Sequence, residues 1–320
     1  MTCYNPKPAF YEPYTKIDEK TGEIYQTRRI KFKSLWKCDG DTPNEENCVM
    51  IPCGKCEGCL IDKSSDWSTR VMLETKLWPV NCFATLTYDN KNIPKNRSLV
   101  KKDVQNFLKR LRKHADDKLR YLCSGEYGPT TLRPHYHLIL LNYRPKDLKR
   151  FKQNISGDWL YTSEELTRIW GKGYTIIGDV TYQSAAYVAR YVLKKAYGIT
   201  KETFLKHGRE PEFTLASRRG GLGTGAFENK AIWEQIKRNQ GILIKENNKV
   251  VLKKIPTFLR NKWKNLDNRE EYFKVMDNRA RALKDIARTR DISKNAMNYL
   301  KQTIETLKTK IKKLDKRKDI

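Results

Sequence analysis

The segment Arg133-Pro134-His135-Tyr136-His137-Leu138-Ile139-Leu140-Leu141 reads as a buried strand carrying two histidines at alternate positions. Side chains at i and i+2 of a strand point to one face, so His135 and His137 present their imidazoles together while Tyr136 faces the opposite layer. Two neutral imidazoles suit a divalent metal. Glu126 ends a preceding predicted strand, Arg120 to Glu126, joined to this one through the Gly128-Pro129 turn, and can come alongside to supply a carboxylate oxygen. Such a site keeps positions open for phosphate and water. The competing reading is a pair of hydrogen-bonded histidines on a sheet surface; the chain holds only 4 His, and two of them on this one pattern favour the metal.

Strands and helices flank this segment. Asn81 to Tyr88 alternates with period two and stops at the Asp89-Asn90 turn, and Tyr174 to Val180 follows Gly171 and Gly173 as another strand. Helices are expected from Leu60 to Leu77, from a cap at Ser98, and from Gln183 to Ala196 ahead of Gly198. In the second of these, Leu99, Val104, Phe107, Leu108 and Leu111 fall near one face that packs on the sheet. The elements mix without strict βαβ alternation, so the fold class is α+β.

Four divisions of the chain follow. Residues 1–61 hold most of the 8 cysteines, several Pro and Gly, and a hairpin signal at Lys20-Thr21-Gly22-Glu23, and form a Cys-rich module. Residues 62–200 carry the main domain. Residues 201–267 are a basic, loop-rich extension whose Arg218-Arg-Gly-Gly-Leu-Gly-Thr-Gly225 run is a flexible loop without the Lys-Ser/Thr ending of a phosphate-binding P-loop. Residues 268–320 are a basic helical tail with a sparse stripe at Ile304, Leu307, Ile311 and Leu314, either an interaction arm or a solvated helix.

A second constellation is Ala185-Ala-Tyr187-Val-Ala-Arg-Tyr191-Val-Leu-Lys194-Lys195. Residues four apart on a helix share a face, so the phenols of Tyr187 and Tyr191 can aim at one place. A phenol with an ordinary pKa of about 10 is a weak nucleophile and needs a nearby cation or a polarised phosphorus. The metal and either Lys194 or Lys195 supply that. Alone, the tyrosine pair is more often an aromatic core stripe; its coexistence with the histidine pair gives it weight.

The charge balance, 65 Lys plus Arg against 37 Asp plus Glu for a net +28, exceeds what solubility requires and points to a polyanion. Aromatic residues at 11% make base stacking available beside phosphate pairing. No apolar run reaches membrane-spanning length and the N-terminus lacks a signal-peptide core, so a cytosolic protein with no membrane partner is expected. In a reducing compartment the cysteines speak for metal or burial rather than disulfides. Cys53-x-x-Cys56-x-x-Cys59 lets three thiolates converge on one Zn²⁺, with Cys3, Cys38 and Cys48 as candidates for the fourth ligand. Buried reduced thiols and, less well, an iron–sulfur cluster are the competing readings. Cys82 and Cys123 sit in predicted strands as core; His114 and His207 sit among charges as solvated residues.

Taken together, these motifs resemble the HUH endonuclease superfamily, and within it the replication initiation proteins of microviruses of the gokushovirus branch. The resemblance rests on Phe83-Ala-Thr-Leu-Thr-Tyr88, on Gly125-Glu126-Tyr-Gly with His135-Tyr136-His137, on Tyr187 to Lys195, and on Pro52-Cys-Gly-Lys-Cys-Glu-Gly-Cys59 followed by Trp67 and Arg70. It covers roughly residues 52–198, and nothing beyond Gly225 matches.

The resemblance implies a central antiparallel sheet backed by helices, with the tyrosine helix lying against the metal. It implies Mg²⁺ or Mn²⁺ on Glu126, His135 and His137. One tyrosine attacks the scissile phosphodiester and stays linked to the DNA 5′ end, and the freed 3′-OH primes host synthesis. The second tyrosine cuts the regenerated origin, and the genome is closed without ATP. The DNA partner is a single-stranded or supercoiled viral origin, with host helicase and polymerase as further partners, in the cytoplasm of a bacterial host. An early cysteine kept by similar proteins singles out Cys3 as the fourth zinc ligand. A relaxase or transposase shares the same chemistry; a zinc-containing single-strand DNA-binding protein without catalysis explains the charge but leaves the His and Tyr pairs as coincidences.

Overall fold

The computed structural model describes residues 3, 7–17, 22, 24–31, 48–115, 118–128, 131–190, 201–246, 249–265, 274, 275 and 278. It divides into two units, Met1–Ile61 and Asp62–Ile320. In the first, β1 (Lys7–Ile17) pairs antiparallel with both β2 (Ile24–Lys31) and β3 (Cys48–Ile51). The expected hairpin is present, closing on the pair Ile17↔Ile24. Its reversal includes Gly22 at φ 71, a backbone state that costs glycine nothing.

Helix α1 (Glu57–Thr75) precedes the second unit's sheet. Its elements are β4 (Asn81–Tyr88), α2 (Lys101–His114), β5 (Arg120–Tyr127), β6 (Pro134–Leu141), β7 (Lys149–Gln153), β8 (Trp159–Thr162), α3 (Glu164–Trp170), β9 (Gly173–Gly178), α4 (Tyr182–Arg190), α5 (Lys201–Lys206) and β10 (Phe213–Ala216). The chain continues through α6 (Lys230–Asn239), the hairpin β11 (Ile242–Glu246) and β12 (Lys249–Lys253), and α7 (Thr257–Lys264). Seven strands form one antiparallel sheet in the order β10-β5-β6-β4-β9-β8-β7. The α+β class and the helix-backed antiparallel sheet are therefore as expected.

Alternation along β4 and β6 explains which helices cover which face. Leu86, Tyr88, Tyr136, Leu138 and Leu140 point to the side packed by α2 and α3, where Phe107, Leu111 and Trp170 are fully buried. Each such apolar side chain contributes about 1.5–3 kcal/mol on burial. Tyr136 faces this layer as its register requires, its hydroxyl 2.8 Å from that of Tyr88 and 2.9 Å from the Val100 amide that it accepts from. On the other face, Phe83, Leu122, Ile139 and Leu141 lie under Val71 of α1 and Ala185 and Val188 of α4. Cys82 and Cys123 are fully buried and His114 and His207 exposed, as expected.

Three expectations need correction. Ser98 does not cap α2, which starts from Val100. Its hydroxyl instead accepts from the Glu210 amide at 2.9 Å, fastening a distant loop. Residues 201–267 are not loop-rich: β10 becomes an edge strand of the main sheet, and α6, α7, β11 and β12 enclose a core of Ile236, Ile242, Ile244, Ile255, Leu259 and Trp263 against Leu73. Elements as short as the 4 residues of β10 carry too little periodicity to be read. The loop at 218–225 is clamped rather than free. Arg120 donates to the Arg219 carbonyl at 3.2 Å, Arg70 donates to the Leu222 carbonyl at 3.0 Å, and buried Glu74 accepts from the Gly223 amide. The Arg70 guanidinium stacks 4.1 Å from the Trp67 ring centre and 4.0 Å from that of Phe258. The tail at 268–320 lies outside the described residues except for 274, 275 and 278. Among described residues no helix is long and apolar enough to cross a membrane.

Candidate active site

Strand registers assemble the site. Glu126 on β5 stands directly opposite His135 on β6, and Ser124 opposite His137. On the other flank of β6, Thr87 of β4 stands opposite His135 and Thr85 opposite His137. Because opposed residues of antiparallel strands share a face, Glu126, His135 and His137 converge. Their ligand atoms all lie within 4.8 Å of one another. His135 Nε2 is 2.8 Å from Glu126 Oε1, and His137 Nε2 also contacts that oxygen. The Glu126 and His137 side chains are only 2% and 3% exposed while His135 is 18% exposed, so the site opens on the His135 side.

The outward-facing ring nitrogens decide what the inward-facing ones can do. His135 Nδ1 lies 3.0 Å from the Arg133 carbonyl oxygen, which can only accept, so Nδ1 carries the proton. A neutral His135 then turns a lone pair toward the Glu126 carboxylate, acceptor against acceptor. That pairing is favourable only with an added proton or with a cation between the two groups. His137 Nδ1 is likewise oriented, by the Thr85 hydroxyl at 3.0 Å. A ligating histidine held through its second nitrogen by a carbonyl or hydroxyl is the usual support of a metal site. Burial pushes the Glu126 carboxyl up, yet His137 and His135 together pull it down to about 2, so it is an anion. The donor set of two imidazoles and a carboxylate fits a divalent cation.

Tyr187, from α4, reaches the same place. Its hydroxyl donates to Glu126 Oε1 at 3.1 Å and lies 3.3 Å from His137 Nε2. The helix is held over the sheet by Ala185 and Val188, which are fully buried. Tyr191, Lys194 and Lys195 lie outside the described residues. Arg133 adds a tie that the sequence did not disclose: its guanidinium donates to the Tyr88 carbonyl at 2.8 and 3.1 Å, fixing the end of β4 beside the site. Thr85 was also missed as the partner of His137, although the period-two pattern of Phe83 to Tyr88 places it on the right face.

A second ligand cluster lies wholly within the first unit. Cys3, Cys53, Cys56 and Cys59 bring four sulfurs within 4.8 Å of one another. Cys56 and Cys3 sulfurs are 3.7 Å apart and those of Cys53 and Cys59 3.9 Å. With Zn–S bonds of about 2.3 Å, a tetrahedral site has sulfur–sulfur edges of about 3.8 Å, so the cluster fits zinc. Backbone amides of Cys53, Gly54 and Cys56 point at sulfurs of Cys3, Cys59 and Cys53, an arrangement that stabilises thiolates. Amides of Lys55 and Cys56 lower the Cys53 thiol to about 6, whereas burial raises Cys59 to about 12. Cys38 and the Cys48 side chain lie outside the described residues.

The fold and site define a protein whose antiparallel sheet carries a two-histidine, one-glutamate candidate metal centre with a helix-borne tyrosine against it. Residues 81–196, which contain all of that centre, match the family model of the ORF2-type replication-associated proteins, and this segment is a domain of that family. The chain is 35% identical over 218 residues to replication-associated protein ORF2 of Spiroplasma virus 4, covering 65% of this chain and 66% of the relative. It is 38% identical over 204 residues to replication-associated protein VP4 of Bdellovibrio phage phiMH2K, covering 61% of this chain and 58% of the relative. It is 31% identical over 189 residues to replication-associated protein ORF4 of Chlamydia phage 1, covering 57% of this chain and 47% of the relative. The matched stretch thus spans less than two thirds of each relative's length. No solved structure matches the chain.

Proposed function

We propose that this protein starts rolling-circle replication of a circular single-stranded phage genome by nicking one strand at its origin and later rejoining it. The approach of Tyr187 to the Glu126, His135 and His137 cluster carries the reading: a nucleophile-capable phenol 3.1 Å from the carboxylate of a candidate metal site is what strand transfer to tyrosine requires. The relatives' names, all replication-associated proteins of viruses or phages, support the biological setting.

Glu126, His135 and His137 hold Mg²⁺ or Mn²⁺, which when bound polarises the scissile phosphodiester. Thr85 and the Arg133 carbonyl keep both imidazoles turned inward. The Tyr187 oxygen attacks phosphorus, its O–H directed at Glu126 Oε1. As the tyrosine–phosphorus bond forms, the bond to the 3′ oxygen breaks, and that oxygen leaves with a proton as a 3′-OH. One phosphodiester replaces another, so no ATP is consumed. Tyr191 acts as the second nucleophile in the closing round, with Lys194 and Lys195 near the phosphotyrosine bridge. The 3′-OH passes to host helicase and polymerase. Cys3, Cys53, Cys56 and Cys59 hold a structural zinc.

Incubating the protein with single-stranded phage DNA in Mg²⁺ or in EDTA tests this. Metal-dependent cutting with a tyrosine-linked 5′ phosphate, located by mass spectrometry, is expected. Retention of DNA without cutting in either condition would replace the enzyme with a binding protein.

A further inference from the structure

Four strands set Tyr174 in line with the candidate metal site. Tyr174 on β9 stands opposite Thr87 on β4, Thr87 opposite His135 on β6, and His135 opposite Glu126 on β5. Directly opposed residues of antiparallel neighbours project to one face. Tyr174 therefore emerges on the side of the sheet where the site opens. Strands lie about 4.8 Å apart, so two strand spacings put its backbone roughly 10 Å from that of His135.

The surroundings distinguish Tyr174 from a stray surface aromatic. One row deeper, Gly178, Phe83, Ile139 and Leu122 are buried, the last three in the core shared with α1 and α4. The row between, Ile176, Thr85, His137 and Ser124, runs from half-buried to buried. In the outer row Tyr174 is 67% exposed and Thr87 and His135 are half-buried. The helical cover thus ends at the metal site, and an uncovered strip of sheet leads from His135 to Tyr174. Its backbone is fixed: Gly173 sits at φ 146, where an added Cβ would overlap the Thr87 carbonyl and the Asp89 amide, so β9 is seated against β4 closer than any side chain allows. The ring is held on a rigid strand, exposed, and level with the phosphate position.

We infer that Tyr174 is a positioning residue: a base of single-stranded DNA stacks on its ring while the neighbouring phosphate lies at the Glu126, His135 and His137 site. Every base has a π face, so the platform orients the strand without choosing its sequence. The inference rests on the nuclease reading, and its test separates the two.

Full-length protein is mixed in EDTA with fluorescent oligothymidylate, and in parallel with oligothymidylate containing 5-iodouracil, which photocrosslinks to stacked aromatic rings. The parent should crosslink through the peptide holding Tyr174. Tyr174→Ala should lose that crosslink and bind roughly 5- to 150-fold more weakly, the range that base stacking on one aromatic spans. Tyr174→Trp should keep both, and melting temperatures should agree, since the ring is exposed. If Tyr174→Ala binds and crosslinks like a parent that still cuts phage DNA in Mg²⁺, the platform is overturned and the nuclease reading stands. If the parent neither binds the oligonucleotide nor cuts, both fall.

Discussion

The Tyr187 hydroxyl donates to Glu126 Oε1 across 3.1 Å, joining helix α4 to strand β5 at the carboxylate that also faces both imidazoles. Nucleophile and metal ligands thus share one oxygen in the resting protein, so a change at either residue is felt by the other.

Glu126→Ala and His137→Ala should each abolish cutting and cut Mn²⁺ affinity at least 100-fold by calorimetry, while oligonucleotide retention changes less than about 2-fold, because phosphate contacts belong to Lys and Arg. Thr85→Val, which frees only the His137 Nδ1 contact, should lower Mn²⁺ affinity by about 10- to 100-fold. Unchanged Mn²⁺ binding in Glu126→Ala would remove the metal assignment.

For the two tyrosines, Tyr187→Phe should still form a covalent adduct on a single-stranded origin oligonucleotide, with the linked peptide moving to Tyr191. The Tyr187→Phe, Tyr191→Phe double variant should form none, and neither single variant should release closed circles. Loss of all adduct in Tyr187→Phe, with Tyr191→Phe normal, would leave one catalytic tyrosine.

Zinc and thiol accessibility can be read together. Protein as isolated should hold about one zinc, and a chelator should open Cys3, Cys53, Cys56 and Cys59 to iodoacetamide at pH 8. Cys82, whose thiol burial pushes up to about 12, and Cys123, raised for the same reason, should stay unlabelled until the protein unfolds. Reaction at pH 8 needs a thiolate, and raised thiols have almost none. Absence of zinc by elemental analysis would leave the four cysteines as buried thiols.

Buried Glu74, 2% exposed, forms an ion pair with Arg120 and accepts from the Gly223 amide. Glu74→Ala strands the arginine and the loop amide, so urea denaturation should show a loss of about 3–5 kcal/mol. Pairing it with Arg120→Met should restore part of that loss, since the uncompensated charge is then gone. A double variant less stable than the single one would contradict this role.

The sheet's central strands, the two faces of β6 and the choice of Glu126, His135 and His137 are fixed by local pattern. Period-two alternation is a property of a strand before anything packs on it, and it puts both imidazoles on one side whatever their neighbours. The +28 charge likewise speaks for a polyanionic partner without any fold. Other features depend on residues far apart in the chain. The Ser98 hydroxyl could serve its own helix or a loop residue 112 positions away, and only the folded chain brings Glu210 to it. The 218–225 run is glycine-rich and reads as free because its anchors, Arg70, Glu74 and Arg120, lie about a hundred or more residues upstream. β10 is a strand because β5 offers it an edge. Thr85 and Tyr174 acquire their places in the site from interstrand register, which is set by pairing across the sheet and written in no single segment.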